Sequence, residues 1–275
     1  MCSSDLKRNP RLQQGEIEIR QVSNGSAAIR ASQPAEAQWR PPSAERFASV
    51  RAEYFLDDVN APSKPRASVE ALRFETPDGA RYKAPLPSFP ERSIVRVRFL
   101  ARRQNGEEIR SGTPGTDEGW RAYFVSPQRD MAAEPHYDLF ISNESLRALA
   151  TNISANPRRI TAPDPPGWPR ESWNATEPAI FVADNAVYDV HVRYHASKVH
   201  RSPERRCFKV KFPRNAPFQG RTRWLLTDKG DFYIAAHGLF SLADLPTAKP
   251  FRSVLHLNRE PPLTRLAMDD MDGAV

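Results

Sequence analysis

Over residues 207–212 the chain reads Cys-Phe-Lys-Val-Lys-Phe. On a strand this sends Phe208, Val210 and Phe212 to one side and Cys207, Lys209 and Lys211 to the other. Taken alone, such a strand reads as two solvated lysines on an outward face. Just upstream, Lys198, His200, Arg201, Arg205 and Arg206 form a basic cluster. It has two readings, a hold on an anionic partner or a solvated loop. Cys207, with His195 and His200 nearby in sequence, supplies the residue types of a Cys–His nucleophile pair. A lone cysteine on a strand is more often a small buried apolar group. The six histidines show no metal-ligand spacing with carboxylates or cysteines. No Gly-rich phosphate loop and no dinucleotide fingerprint occurs. Asp269, Asp270 and Asp272 lie together near the chain end, where carboxylates are usually solvated.

The elements that must position these groups are mostly strands. In 275 residues, 26 prolines outnumber 12 glycines and lie between apolar runs. That favours short strands and rigid loops over long helices. Forty Lys and Arg against 33 Asp and Glu give a net charge of +7 spread along the chain. Such a spread attracts anions in general and does not mark a nucleic-acid arm. No apolar run reaches the roughly 18 residues of a membrane-crossing helix. Two cysteines, Cys2 and Cys207, define no disulfide framework.

The clearest strands of the first half are Glu16–Arg20, Val50–Leu56, Val69–Phe74, Ile94–Ala101 and Arg121–Val125, the first and fourth alternating with period two. In the fourth, Arg96 and Arg98 take the outer face. Thr76-Pro77-Asp78-Gly79 and Gln104-Asn105-Gly106 are turn signals. The second half offers a strand at Tyr137–Ile141. Ser142 or Asn143 then caps a helix over Glu144–Ile153 with Leu146, Leu149, Ala150 and Ile153 on one face. A Pro-rich loop spans Ala162–Pro169. Pro178–Val182 and Val187–Tyr194 form a hairpin around Ala183–Ala186. Trp224–Leu226, a helix over Tyr233–Ala243 and a strand at Ser253–Leu257 follow. Met268–Val275 reads as a tail with nothing to pack on it.

Two resemblances sharpen this picture. The run Tyr82–Pro90, leading into the strand from Ile94, looks like the last third of a fibronectin- or immunoglobulin-like module. In the second half, Trp173-Asn174-Ala175-Thr176 precedes the hairpin. Then come Phe208–Pro213, Phe218-Gln219-Gly220, Leu245–Lys249 and Val254–Asn258. This order of pieces resembles the amino-terminal part of the CotH family, the spore-coat-type protein kinase-like proteins. The resemblance covers roughly residues 137–275. It implies an atypical kinase that uses ATP with magnesium or manganese to phosphorylate protein. On that reading Arg193, Ser197, Lys209 and Lys211 are the nucleotide-binding candidates. Ala196 stands where the family has glycine, and its Cβ restricts the approach of backbone to phosphate. The family's catalytic and metal-binding aspartates lie in a carboxyl-terminal lobe, so the expectation is a fragment that does not catalyse alone.

The fold class expected is therefore mainly β with some α: an antiparallel β-sandwich followed by an α+β kinase-like amino-terminal lobe. The expected divisions are a disordered or artefactual start at 1–14, the sandwich at 15–126, a linker at 127–136 and a truncated lobe at 137–275. The expected setting is extracellular or cell envelope, with a protein substrate or envelope component as partner and no nucleic acid. The alternative is a non-enzymatic surface or adhesion protein whose sandwich binds glycan or protein. There Trp39 and Trp120 are either exposed stacking platforms for sugar or core residues.

Overall fold

Alternation of apolar and polar residues builds two sheets in the first half of the chain and one closed sheet in the second. The computed structural model describes residues 16–21, 29–31, 33–41, 46–112, 119–127, 134–154, 174–196, 201–258 and 260–269. The chain divides into two compact units, Met1–Asp130 and Met131–Val275.

In the first unit, one sheet runs β1 (Glu16–Gln21), β3 (Ala35–Arg40), β7 (Gly79–Leu86), β6 (Leu72–Thr76). The other runs β2 (Ile29–Arg30), β10 (Arg121–Ser126), β8 (Ile94–Arg102), β4 (Ser49–Leu56), β5 (Ala67–Glu70), with β9 (Glu108–Arg110) also on β8. Neighbours are antiparallel except β2 with β10. Ala37, Trp39, Tyr82 and Ala84 from one sheet join Val50, Ala52, Val95, Val97 and Phe99 from the other in one buried cluster. Trp39 is fully buried and stacks on Phe99 at 5.8 Å, with Phe47 and Tyr82 beside it. The opposite face of β8 is also covered. Arg98 donates to Glu53 at 2.8 Å and lies 4.3 Å from the ring centre of Trp120. Neither tryptophan offers a face to sugar.

In the second unit, seven strands close on themselves. They are β11 (His136–Ile141), β12 (Glu177–Ala183), β13 (Ala186–Tyr194), β14 (Phe208–Lys211), β15 (Arg223–Thr227), β16 (Phe251–Leu257) and β17 (Leu263–Asp269). Around the barrel the order is β11-β12-β13-β14-β15-β17-β16. The parallel pairing of β16 with β11 closes it. Alternate residues of every strand meet in one core, among them Leu139, Phe181, Val192, Phe208, Val210, Leu226, Leu255 and Ala267. The β12–β13 turn holds Asp184 and Asn185 at φ 50° and 63°. That is the handedness a two-residue hairpin requires. Helix α1 (Asn143–Ser154) adds Leu149 and Ile153 to the same core. It starts where the Ser145 N–H donates to Ser142 Oγ at 3.0 Å. Helix α2 (Asp231–Leu242) ends with Asp244 at φ 54° and the Leu245 N–H donating to Phe240 O at 3.0 Å.

The expected α+β kinase-like lobe is corrected by this architecture. The described part of the second unit is a closed β-barrel with two 12-residue helices. The physical reason lies in two pairings. Met268 and Asp269, read as the start of a tail, instead end β17, which inserts between β15 and β16 and buries Met268. β16 then pairs back to β11, so the sheet has no free edge. Expectations placed on residues 1–14, on the Pro-rich loop 162–169 and on Ser197, Lys198, His200, Asp270 and Asp272 lie outside the described residues.

Candidate functional site

Three of the four expected ligand-binding residues share one face of the barrel. Because Phe208 and Val210 point into the core, Lys209 and Lys211 point outward from β14. On β13 the core residues are Val192 and Tyr194, so Arg193 and His191 point outward as well. Register places Arg193 opposite Lys209 and His191 opposite Lys211. Side chains directly opposite in an antiparallel pair have Cβ atoms about 5 Å apart. The fourth residue, Ser197, lies outside the described residues.

The structure adds two cations to this face. Arg223 on β15 is opposite Lys211, and Trp224 beside it points into the core. Arg201 precedes β14 and is 5% exposed. Lys209 is 6% exposed, so it is not the solvated lysine that its strand pattern alone suggests. Burial pushes the Lys211 ammonium below its usual range, and Arg193, Lys209 and Arg223 push it further the same way. Burial also lowers Arg201, with Arg193 adding to the effect. Each influence resolved at these two groups disfavours positive charge. Among the described residues no carboxylate pairs with Lys211. An anion settled among these groups would reverse that balance.

The loop carrying Arg201 is anchored away from the cationic face. Arg205 makes a two-pronged pair with Asp228, at 2.7 and 2.6 Å. Arg206 pairs with Glu260 at 3.1 Å. Arg265 on β17 donates to the Arg205 and Arg206 carbonyls at 3.0 and 3.3 Å. Of the basic cluster read from sequence, Arg205 and Arg206 therefore brace the loop, and Arg201 stands with the strand cations. Cys207 is buried, accepts from the Asp228 N–H at 3.3 Å, and has its thiol pushed up by burial. Those are properties of a structural cysteine and not of a nucleophile.

Arg223 escaped the sequence reading because only strand pairing brings it beside Lys211. The alternation of Arg223 and Leu225 with core residues Trp224 and Leu226 was its available signal. Among the described residues no three His, Cys, Asp or Glu side chains gather as metal ligands would. Asp269 instead pairs with Arg221 at 3.5 Å.

No family model matches the chain, and no curated protein does. Among solved structures, a cycloalternan-forming enzyme from Listeria monocytogenes, in complex with a pentasaccharide substrate, aligns at 9% identity and a TM-score of 0.27. The alignment covers 79% of this chain and 16% of that one, so this chain spans a small part of that enzyme's length. A likeness of that size fixes neither fold nor activity.

Proposed function

We propose that this chain is a binding protein of the extracellular or cell-envelope class, whose barrel unit holds an anionic group of its partner. Arg193, Lys209, Lys211 and Arg223 are the contacts, and Arg201 reinforces them from the preceding loop. One observation carries the reading: Lys211 is packed, partly buried, among three other cations that each disfavour its charge. A fold retains such mutual repulsion at a cost in stability, and an external anion gives it a use. The burial of Trp39 and Trp120 turns the choice away from sugar stacking in the first unit.

Isothermal titration of the full chain tests this. The probes are pyrophosphate, ATP with magnesium, and a sulfated polysaccharide, at low salt and neutral pH. At least one should bind, with affinity falling as salt rises. Lys211→Met should weaken it by roughly tenfold, the effect of one charge-assisted hydrogen bond. Absence of heat with all three probes, or equal affinity in the variant, would falsify the proposal.

A further inference from the structure

Helix α2 is apolar on two sides. Its inner side, Tyr233 and Ile234, packs against Ala248, Leu266 and Met268 on the barrel. Its outer side carries Phe232, Leu239 and Leu242 at 69%, 67% and 84% exposure. Positions 232, 235, 239 and 242 are spaced by three, four and three residues, so they fall along a single stripe. Ala235, the fourth member, is also exposed. Phe240 and, just past the helix, Leu245 widen the ridge. None of the helix's residues is buried. A surface helix ordinarily turns polar residues outward, and one that is apolar all round is normally covered.

Size and charge select the cover. The five Phe and Leu side chains expose on the order of 500 Å² of apolar surface, comparable to the largest patches of monomeric proteins and often functional. A protein interface of ordinary size takes about 800 Å² from each partner, more than this ridge supplies. A lipid surface needs no matching shape and accepts a convex ridge of Phe and Leu. Lys229 lies two residues before the helix, its ammonium 5.9 Å from the ring centre of Tyr233, Lys249 follows the loop after the helix, and both are exposed. Asp231, in the first turn, is neutralised by Arg252, whose Nε donates to Oδ1 at 3.0 Å. Asp244 at the far end is the one exposed carboxylate of residues 228–252 without an ion pair among the described residues. The flanks of the ridge thus complement negative headgroups.

We propose that α2 docks the protein on an anionic lipid surface. The helix lies flat, with Phe232, Leu239 and Leu242 at the acyl boundary and Lys229 and Lys249 at the headgroups. This is attachment from one side. Among the described residues no helix is long and apolar enough to cross a membrane. The proposal uses residues separate from the cationic barrel face and stands or falls independently of it.

Co-sedimentation of the full chain with phosphatidylcholine vesicles, with and without roughly a third phosphatidylserine, is the test. The chain should pellet with the mixed vesicles. The double variant Leu239→Ser, Leu242→Ser should lose about tenfold or more in partitioning, with thermal stability unchanged because both side chains are exposed. Lys229→Glu with Lys249→Glu should remove the preference for phosphatidylserine. Failure of the wild-type chain to pellet overturns the proposal, as does equal pelleting of the Leu239→Ser, Leu242→Ser variant. Self-association in sedimentation equilibrium that this variant abolishes, without vesicle binding, assigns the ridge to a second copy and also overturns it.

Discussion

Replacing Lys211 by methionine should make the barrel more stable while it weakens anion binding. Methionine keeps the apolar stem of the lysine and removes the charge. Arg223 lies opposite Lys211, and Arg193 and Lys209 complete the cationic surroundings. Unit charges about 6 Å apart repel by about 0.7 kcal/mol in a water-like medium and by about 2–3 kcal/mol at the effective dielectric near a protein surface. Lys211 is only partly buried, so screening brings the sum over three neighbours down to about 1 kcal/mol. In a unit of this size that corresponds to a rise in Tm of roughly 3 °C at low salt. High salt should shrink the gap between variant and wild type. The pH dependence has a definite sign. The folded-state pKa of Lys211 lies below its ordinary 10.5, so the unfolded chain binds more protons in the window between the two values. Wild-type stability therefore rises with pH through that window, and the variant lacks the increment. Calorimetric scans across salt and alkaline pH would measure all three effects. A lower Tm in the variant, or a gain indifferent to salt, would refute the like-charge argument.

Two further outcomes test the first unit. Gly119→Ala should cost more than about 2 kcal/mol in urea unfolding, because the residue sits at φ +73° and a Cβ there would lie 2.0 Å from the Ser111 carbonyl oxygen; a neutral result would mean the 111–119 approach is looser than described. Burial raises the pKa of Asp57, but Arg96 and Lys64 more than offset it and the net direction is downward. Its stabilisation is thus present above the unfolded carboxylate range and lost as pH falls through the folded value. Asp57→Asn should destabilise by about 3 kcal/mol near neutrality, since it removes the buried carboxylate that pairs with Arg96 and Lys64, and should flatten the acid limb of a Tm–pH profile. An unchanged acid limb would show that other carboxylates govern it.

The cationic face was half legible from residues alone. Alternation in Phe208–Lys211 placed Lys209 and Lys211 together, because a strand's side-chain period is two whatever its neighbours are. It could not place Arg223 beside them, since that depends on β14 pairing with β15 in one register out of several. Nor could it tell that Lys209 is buried. The same limit made Trp39 and Trp120 ambiguous: residue type is the same for a sugar platform and a core filler, and only the surrounding Phe47, Tyr82, Phe99 and Arg98 decide.

Local pattern by itself determined where strands such as Ile94–Arg102 and Ala186–Tyr194 run, where α1 starts, and that Asp184-Asn185 turns a hairpin. These depend on steric and hydrogen-bonding preferences within a few residues. Tertiary structure decided the partners. Residues 69–74 read as one strand, yet the Ala71 N–H donates to Val50 O at 2.9 Å, and the chain crosses there from β5 in one sheet to β6 in the other. β16 closes the barrel on β11 across more than a hundred residues of chain. Period-two burial says that a strand has an inner face. In the barrel, which strands share that face is settled by the arrangement that buries those faces together and leaves no edge unpaired, and that is a property of the whole sheet.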